Sequence, residues 1–239
     1  MSDQQAVTEM FDDISPRYDF LNHLLSFHID KIWRRKTSRW VAKHQPTAIL
    51  DVATGTADLA IRMACDMPSA TITGVDLSEK MLEVGKQKVA QKKLDQRITL
   101  MKADAAHLPF PDNSFDAVTV AFGVRNFENL DAGLREMLRI TKNNGILAIL
   151  EFSHPRKGIL KGPYRFYSKH LLPLIGRWFS KHQTAYTYLP SSIEAFPSPE
   201  RLDTLLQEAG WTNTEWRALT GGIVTLHLGH AQKNDLVSQ

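Results

Sequence analysis

The chain has 239 residues, a formal net charge of +3, 43% hydrophobic and 23% charged residues, and a single cysteine. That length suits one domain with a sizeable core, one thiol excludes an internal disulfide and a multi-cysteine zinc centre, and so small a charge does not by itself argue for nucleic acid. No apolar run reaches the length of a membrane span, and the polar start MSDQQAVTEM lacks the apolar stretch of a secretion signal, so a cytoplasmic enzyme is expected.

In chain order, residues 3–44 read as amphipathic helices and form an N-terminal cap over residues 1–45. A core at 46–152 then alternates strand and helix, the pattern of a parallel sheet. Strands are predicted at 48–53, 71–76, 98–102, 115–122 and 145–152. Helices are predicted at 57–67, with Cys65 in the core, at 78–93 with Ser78 as N-cap, and at 131–141. Leu134, Met137, Leu138 and Thr141 supply the apolar stripe of the last of these, and Asn143-Asn144-Gly145 the turn that ends it.

Past Phe152 the alternation breaks. Residues 153–200 carry Pro155, Pro163, Pro173, Pro190, Pro197 and Pro199 and read as a helical insertion after strand five. No acid occurs between Phe152 and Ile193, whereas Arg156, Lys157, Lys161, Arg165, Lys169, Arg177 and Lys181 do, which makes a local basic patch. A helix opens at Ser198-Pro199-Glu200 and stops at Gly210, and residues 201–230 end in a hairpin turning at Thr220-Gly221-Gly222. The architecture read from these elements is a single doubly wound α/β domain.

The first two strands end in Asp51 and Asp76, on either side of a small turn, Ala53-Thr54-Gly55-Thr56-Ala57. Strand tips of an open α/β sheet are where such folds bind ligands. The turn does not spell G-x-G-x-x-G, the spacing that lets a pyrophosphate approach the backbone. A dinucleotide is therefore disfavoured and S-adenosylmethionine, which has no phosphate, leads. Asp76 is expected on the ribose diol, Gly55 in the turn beside the cofactor and Thr56 at its methionine end. Asp51 either orients the turn or caps its strand. At the third tip, Asp104 faces the adenine amine and the Ala105 N–H a ring nitrogen.

The fourth tip, Ala121-Phe122-Gly123-Val124-Arg125-Asn126-Phe127, faces the acceptor. It lacks the D/N-P-P-Y/F element of exocyclic-amine methyltransferases, and Cys65 is on the wrong side to be a cytosine-C5 nucleophile. Arg125 and Asn126 are suited to an oxygen-rich acceptor, a structural ion pair being the plainer role for Arg125.

The segments FDDISPRYDFLNHLLS, VAFGVRNFEN, ILEFSHP, YTYLPSSIEAFPSPE and LTGGIVTLHLG closely resemble the ubiquinone/menaquinone C-methyltransferase family, from about Phe11 to Gly229. The resemblance implies a seven-stranded, mostly parallel, Rossmann-like class I methyltransferase fold. It implies cofactor contacts at Thr56, Asp76, Asp104 and Ala105, no metal, and transfer of the S-adenosylmethionine methyl group to a ring carbon of a prenylated quinol. Demethylmenaquinol is the first choice. A benzoquinol, another small phenolic or sterol-like acceptor, and an RNA-binding role for the basic patch are the alternatives, the last disfavoured for want of a binding module. Two departures stand out: the family's S-x-G-x-H is Ser26-Phe27-His28-Ile29-Asp30 here, and Ala121 replaces a serine found in some members.

For such a substrate Arg125 and Asn126 would favour the quinolate. The base is left open among a water held by Arg125, Tyr18 and His154. A prenyl tail stays in the bilayer, so residues 153–193 are expected to touch the inner face of the membrane as a peripheral contact. A homodimer is compatible with the sequence.

Overall fold

The five apolar runs of the core become parallel strands, and they lie in the order their burial requires. The computed structural model describes residues 3–153 and 183–233. Strands β1 (Ala48–Val52), β2 (Thr71–Asp76), β3 (Ile98–Lys102), β4 (Phe115–Ala121) and β5 (Thr141–Phe152) are followed by β6 (Thr212–Leu219) and β7 (Val224–His230). They form one sheet ordered β3-β2-β1-β4-β5-β7-β6, with β7 antiparallel to both neighbours. The strand order reverses between β1 and β4, so the crevice at their C-terminal ends is the ligand site of this topology.

Helices cover both faces because β1, β4 and β5 are apolar on both. Ile49 packs with Trp33, Met63 and Leu82, from α3 (Ile29–Ala42), α4 (Asp58–Asp66) and α5 (Glu79–Gln91). Its neighbour Leu50 faces the other way, with Leu134, Met137 and Leu206 from α6 (Leu130–Ile140) and α8 (Pro199–Glu208). Caps are where the sequence puts them: Ser78 accepts the Met81 N–H and Ser198 the Arg201 N–H. Helix α7 (Gln183–Ala195) contains Pro190 and packs on a short helical turn at Val124–Asn126.

Three expectations need correction. Cys65 is exposed, because α4 turns Leu59, Ala60, Ile61, Met63 and Ala64 to the sheet and leaves Cys65 outward. Strand β5 starts at Thr141, since fully buried Thr141 pairs with Phe115 and the Asn143-Asn144 turn is accommodated as an irregularity within the strand. Thr141 therefore leaves the α6 stripe. The basic run at 156–181 and His154 lie outside the described residues.

The N-terminal cap is α1 (Asp3–Ile14), a turn at Ser15–Arg17, α2 (Tyr18–Leu25) and α3. Two carboxylates fasten it to the core. Asp12 accepts from the Ser78 hydroxyl at 2.5 Å. Asp19 accepts from the Thr56 hydroxyl and from Lys88, each at 2.5 Å.

Candidate active site

A cavity of about 350 Å³ opens between the tips of β1, β2 and β4 and the underside of the cap, within the range of small-molecule sites. Gly55, Thr56, Asp76, Asp104, Ala105, Asn126 and Tyr18 all line it. Arg125 does not.

The turn after β1 is built from alternate left-handed residues: Ala53, Gly55 and Ala57 have φ of 51°, 55° and 66°. Only glycine takes that conformation without strain, so two alanines are held there by what surrounds them. Asp51 is one restraint. Its buried carboxylate accepts from Thr54 in the turn at 2.7 Å and from Thr119 on β4 at 2.6 Å. Burial pushes its pKa up to about 6 against those two hydroxyl donors. Of the two roles open for Asp51, orienting the turn is the one observed.

Asp76 is the second restraint. Its carboxylate accepts the Gly55 N–H at 2.8 Å and the Ser78 N–H at 2.9 Å. Burial raises its pKa, and those backbone donors oppose the rise. Two donors leave lone pairs on a carboxylate free for a ligand's hydroxyls, and Asp76 faces the cavity. Asp104, oriented by the Ala106 N–H at 3.0 Å, stands at the next strand tip beside Ala105. A phosphate-free nucleoside fits this donor and acceptor set. The Thr56 hydroxyl is engaged by Asp19 and approached by Lys88 at 3.1 Å, so that side chain ties the cap to the turn.

At the acceptor end, β4 finishes in left-handed Phe122 (φ 61°). Arg125 turns away from the cavity: its guanidinium meets Glu151 of β5 at 2.7 Å, with side chains 5% and 0% exposed, and donates to the Phe122 carbonyl at 2.6 Å. Its Nε has no hydrogen-bond partner among the described residues. Asn126 faces the cavity, and its Oδ1 accepts from the Tyr188 hydroxyl of α7 at 2.9 Å. Burial raises the Tyr18 phenol pKa, while the positive charges of Arg125 and Arg34 pull the other way.

Behind the cavity, Asp30 stands where the family pattern has histidine. It accepts from Arg34 and Ser26 at 2.6 Å and pairs with His23 at 2.8 Å. His23, Asp30 and Asp58 are near enough to one another to hold a cation, but Arg34 and Lys88 already neutralise both carboxylates. Burial works against ionised Asp58, and those two cations hold its pKa below the ordinary value. His28, at the family's glycine, is left-handed (φ 61°).

Glu151 and Tyr188 were not foreseen. Glu151 carries a signal, since an acid inside the buried run GILAILEF needs a partner. Tyr188 carries none, because nothing local relates it to Asn126.

A sheet with one antiparallel insertion, a cavity at its reversal point and a carboxylate at the second strand tip define an S-adenosylmethionine-dependent methyltransferase. The model of the ubiE/COQ5 methyltransferase family matches residues 1–231, and the chain belongs to that family. It is 46% identical over 226 residues to a demethylmenaquinone methyltransferase of Porphyromonas gingivalis, covering 94% of this chain and 92% of that one. It is 47% identical over 227 residues to a Geotalea daltonii protein named ubiquinone/menaquinone biosynthesis C-methyltransferase UbiE, covering 94% and 96%. Among solved structures, the [4+2]-cyclase SpnF superposes with a TM-score of 0.70 at 18% identity, covering 97% of this chain and 96% of that one. That likeness shows the fold alone; a cyclase on the same scaffold illustrates that chemistry belongs to the site.

Proposed function

We propose that this chain methylates a ring carbon of a prenylated quinol, demethylmenaquinol first, as the last step in making menaquinone. The observation that carries the reading is a single cavity joining the Asp76 end to Tyr18 and Asn126 at the other; the names of its relatives supply the acceptor class. Asp76 and Asp104 would hold the ribose and adenine of S-adenosylmethionine, Ala105 a ring nitrogen, and Gly55 and Thr56 the turn against which it lies. The cofactor supplies an electrophilic methyl group on a sulfonium.

The protein's share is orientation and charge. Fixing two reactants in attack geometry is worth about 7–11 kcal/mol. A phenolic hydroxyl titrates near pH 10 in water, so the site must favour its ionised form. Asn126 donates to the ring oxygen. Tyr18, whose burial keeps it protonated at neutral pH, acts as a second donor and not as the base. Arg125 contributes its positive charge from the buried pair behind them, where it also fixes the β4 tip.

The acceptor's tail requires the enzyme to meet a bilayer, and the α2–α3 corner of the cap supports this. Phe20 and Phe27 are 58% and 73% exposed, and Leu24 and Ile32 are exposed too. The outward residues of α3 include Lys31, Arg35, Lys36 and Arg39. This combination suits an anionic leaflet, together with the basic run at 156–181. No helix among the described residues is long and apolar enough to cross a membrane.

Incubating the purified chain with methyl-labelled S-adenosylmethionine and demethylmenaquinol should yield labelled menaquinol. The matching benzoquinol is the second acceptor, favoured by the name of the Geotalea relative. Donor binding with label in neither product would overturn the assignment.

A further inference from the structure

The amide of Asn126 has two edges of opposite hydrogen-bonding sign, and the acceptor end can use only one. An ionising ring oxygen is stabilised by an N–H donor and repelled by a carbonyl oxygen. An unrestrained asparagine presents either edge. In this structure Tyr188 meets the oxygen edge, its hydroxyl donating to Oδ1 at 2.9 Å. With Oδ1 engaged, Nδ2 is the edge left for the cavity that Asn126 lines.

Tyr188 is itself held in place. Its helix packs on the Val124–Asn126 turn. The Ser191 and Ser192 hydroxyls donate to the carbonyls of Tyr188 and Leu189 at 2.9 and 3.0 Å. These bonds flank Pro190, which has no N–H to continue the helical ladder. Ile193 anchors the following turn in the core. Burial pushes the Tyr188 phenol pKa up, against the charge of Arg125, so the hydroxyl keeps the proton it donates.

We infer that Tyr188 is a positioning residue for methyl transfer: its hydroxyl locks the Asn126 amide with Nδ2 toward the acceptor oxygen. The inference rests on the reading of the acceptor as an ionisable quinol. It makes α7, within the proline-rich insertion, part of the site's geometry.

The test is a cycle of Tyr188→Phe, Asn126→Ala and the double variant, with donor affinity, kcat and KM for the quinol measured for each. Tyr188→Phe should leave donor affinity unchanged, which also reports an intact fold, and lower kcat roughly tenfold with little change in KM. In the Asn126→Ala background the same change should cost nothing further. A substrate-free readout accompanies it: the side-chain amide NMR signals that vanish in Asn126→Ala should shift in Tyr188→Phe. An unchanged kcat, an equal loss in both backgrounds, or unmoved amide signals would overturn the inference. An enzyme that binds the donor but methylates no quinol overturns the acceptor reading and this role with it, while the amide shift would still report the contact.

Discussion

Arg125 and Glu151 meet at 2.7 Å with almost no exposure of either side chain, so the Val124–Asn126 turn after β4 is joined to β5 at the acceptor end by a charge pair buried from water. Breaking one half of such a pair strands the other charge and typically costs about 3–5 kcal/mol. Glu151→Gln and Arg125→Met should each lower the urea midpoint sharply. The double change Arg125→Met with Glu151→Leu should restore most of the stability but not turnover. A double variant as active as the parent would show that the arginine's charge has no part in the reaction.

Asp76 is the carboxylate at the donor end. Hydrogen bonds to a charged group are worth about 1.5–3 kcal/mol, so Asp76→Ala should weaken S-adenosylmethionine binding by roughly ten- to a hundredfold in a calorimetric titration. Asp104→Ala, at a more exposed position, should weaken it less. The reverse ranking would mean that the ribose lies elsewhere.

Asp51 makes a pH prediction. Burial raises its folded pKa to about 6 from the ordinary 3.8 of an aspartate, so between those values the folded chain binds more protons than the unfolded one. The stability Asp51 contributes is then greatest at low pH and is lost as pH rises through 6. The stability of the parent relative to Asp51→Asn should fall by about 2–3 kcal/mol between pH 4 and pH 7. Denaturant melts at both pH values check it; a gap that widens with pH would reverse the sign.

The cap's exposed apolar corner is tested with vesicles. Phe20→Ser with Phe27→Ser should reduce co-flotation with anionic vesicles and raise the KM for a long-tailed quinol, leaving a short-tailed one unaffected. Added salt should weaken parent binding through the α3 cations. Flotation that ignores both changes would place the contact elsewhere.

How much of this was legible in the sequence follows the range of each interaction. Strands β2 and β3 were predicted to the residue, because each is a short run rich in β-branched and apolar residues bounded by polar or turn-forming ones. Ser78 and Ser198 were legible as caps, since a cap acts within three residues. The start of β5 was not, because pairing with Phe115 overrode a local turn signal. Seven of the eight proposed site residues line the cavity. Arg125 does not, and its partner Glu151 lies 26 positions on, while Tyr188 lies 62 from Asn126. Such partners are set by topology, and no spacing rule reaches that far.

The left-handed alanines at 53 and 57 and left-handed Phe122 carry a consequence for engineering. Together with buried Asp51, Asp76 and the Arg125–Glu151 pair, they place left-handed backbone beside desolvated charge at one end of the sheet. That end of the sheet is the one that lines the cavity. Thermostabilising substitutions at these positions will trade turnover for melting temperature, whereas the opposite end of the sheet and the outer faces of α6 and α8 can be hardened at no cost to catalysis.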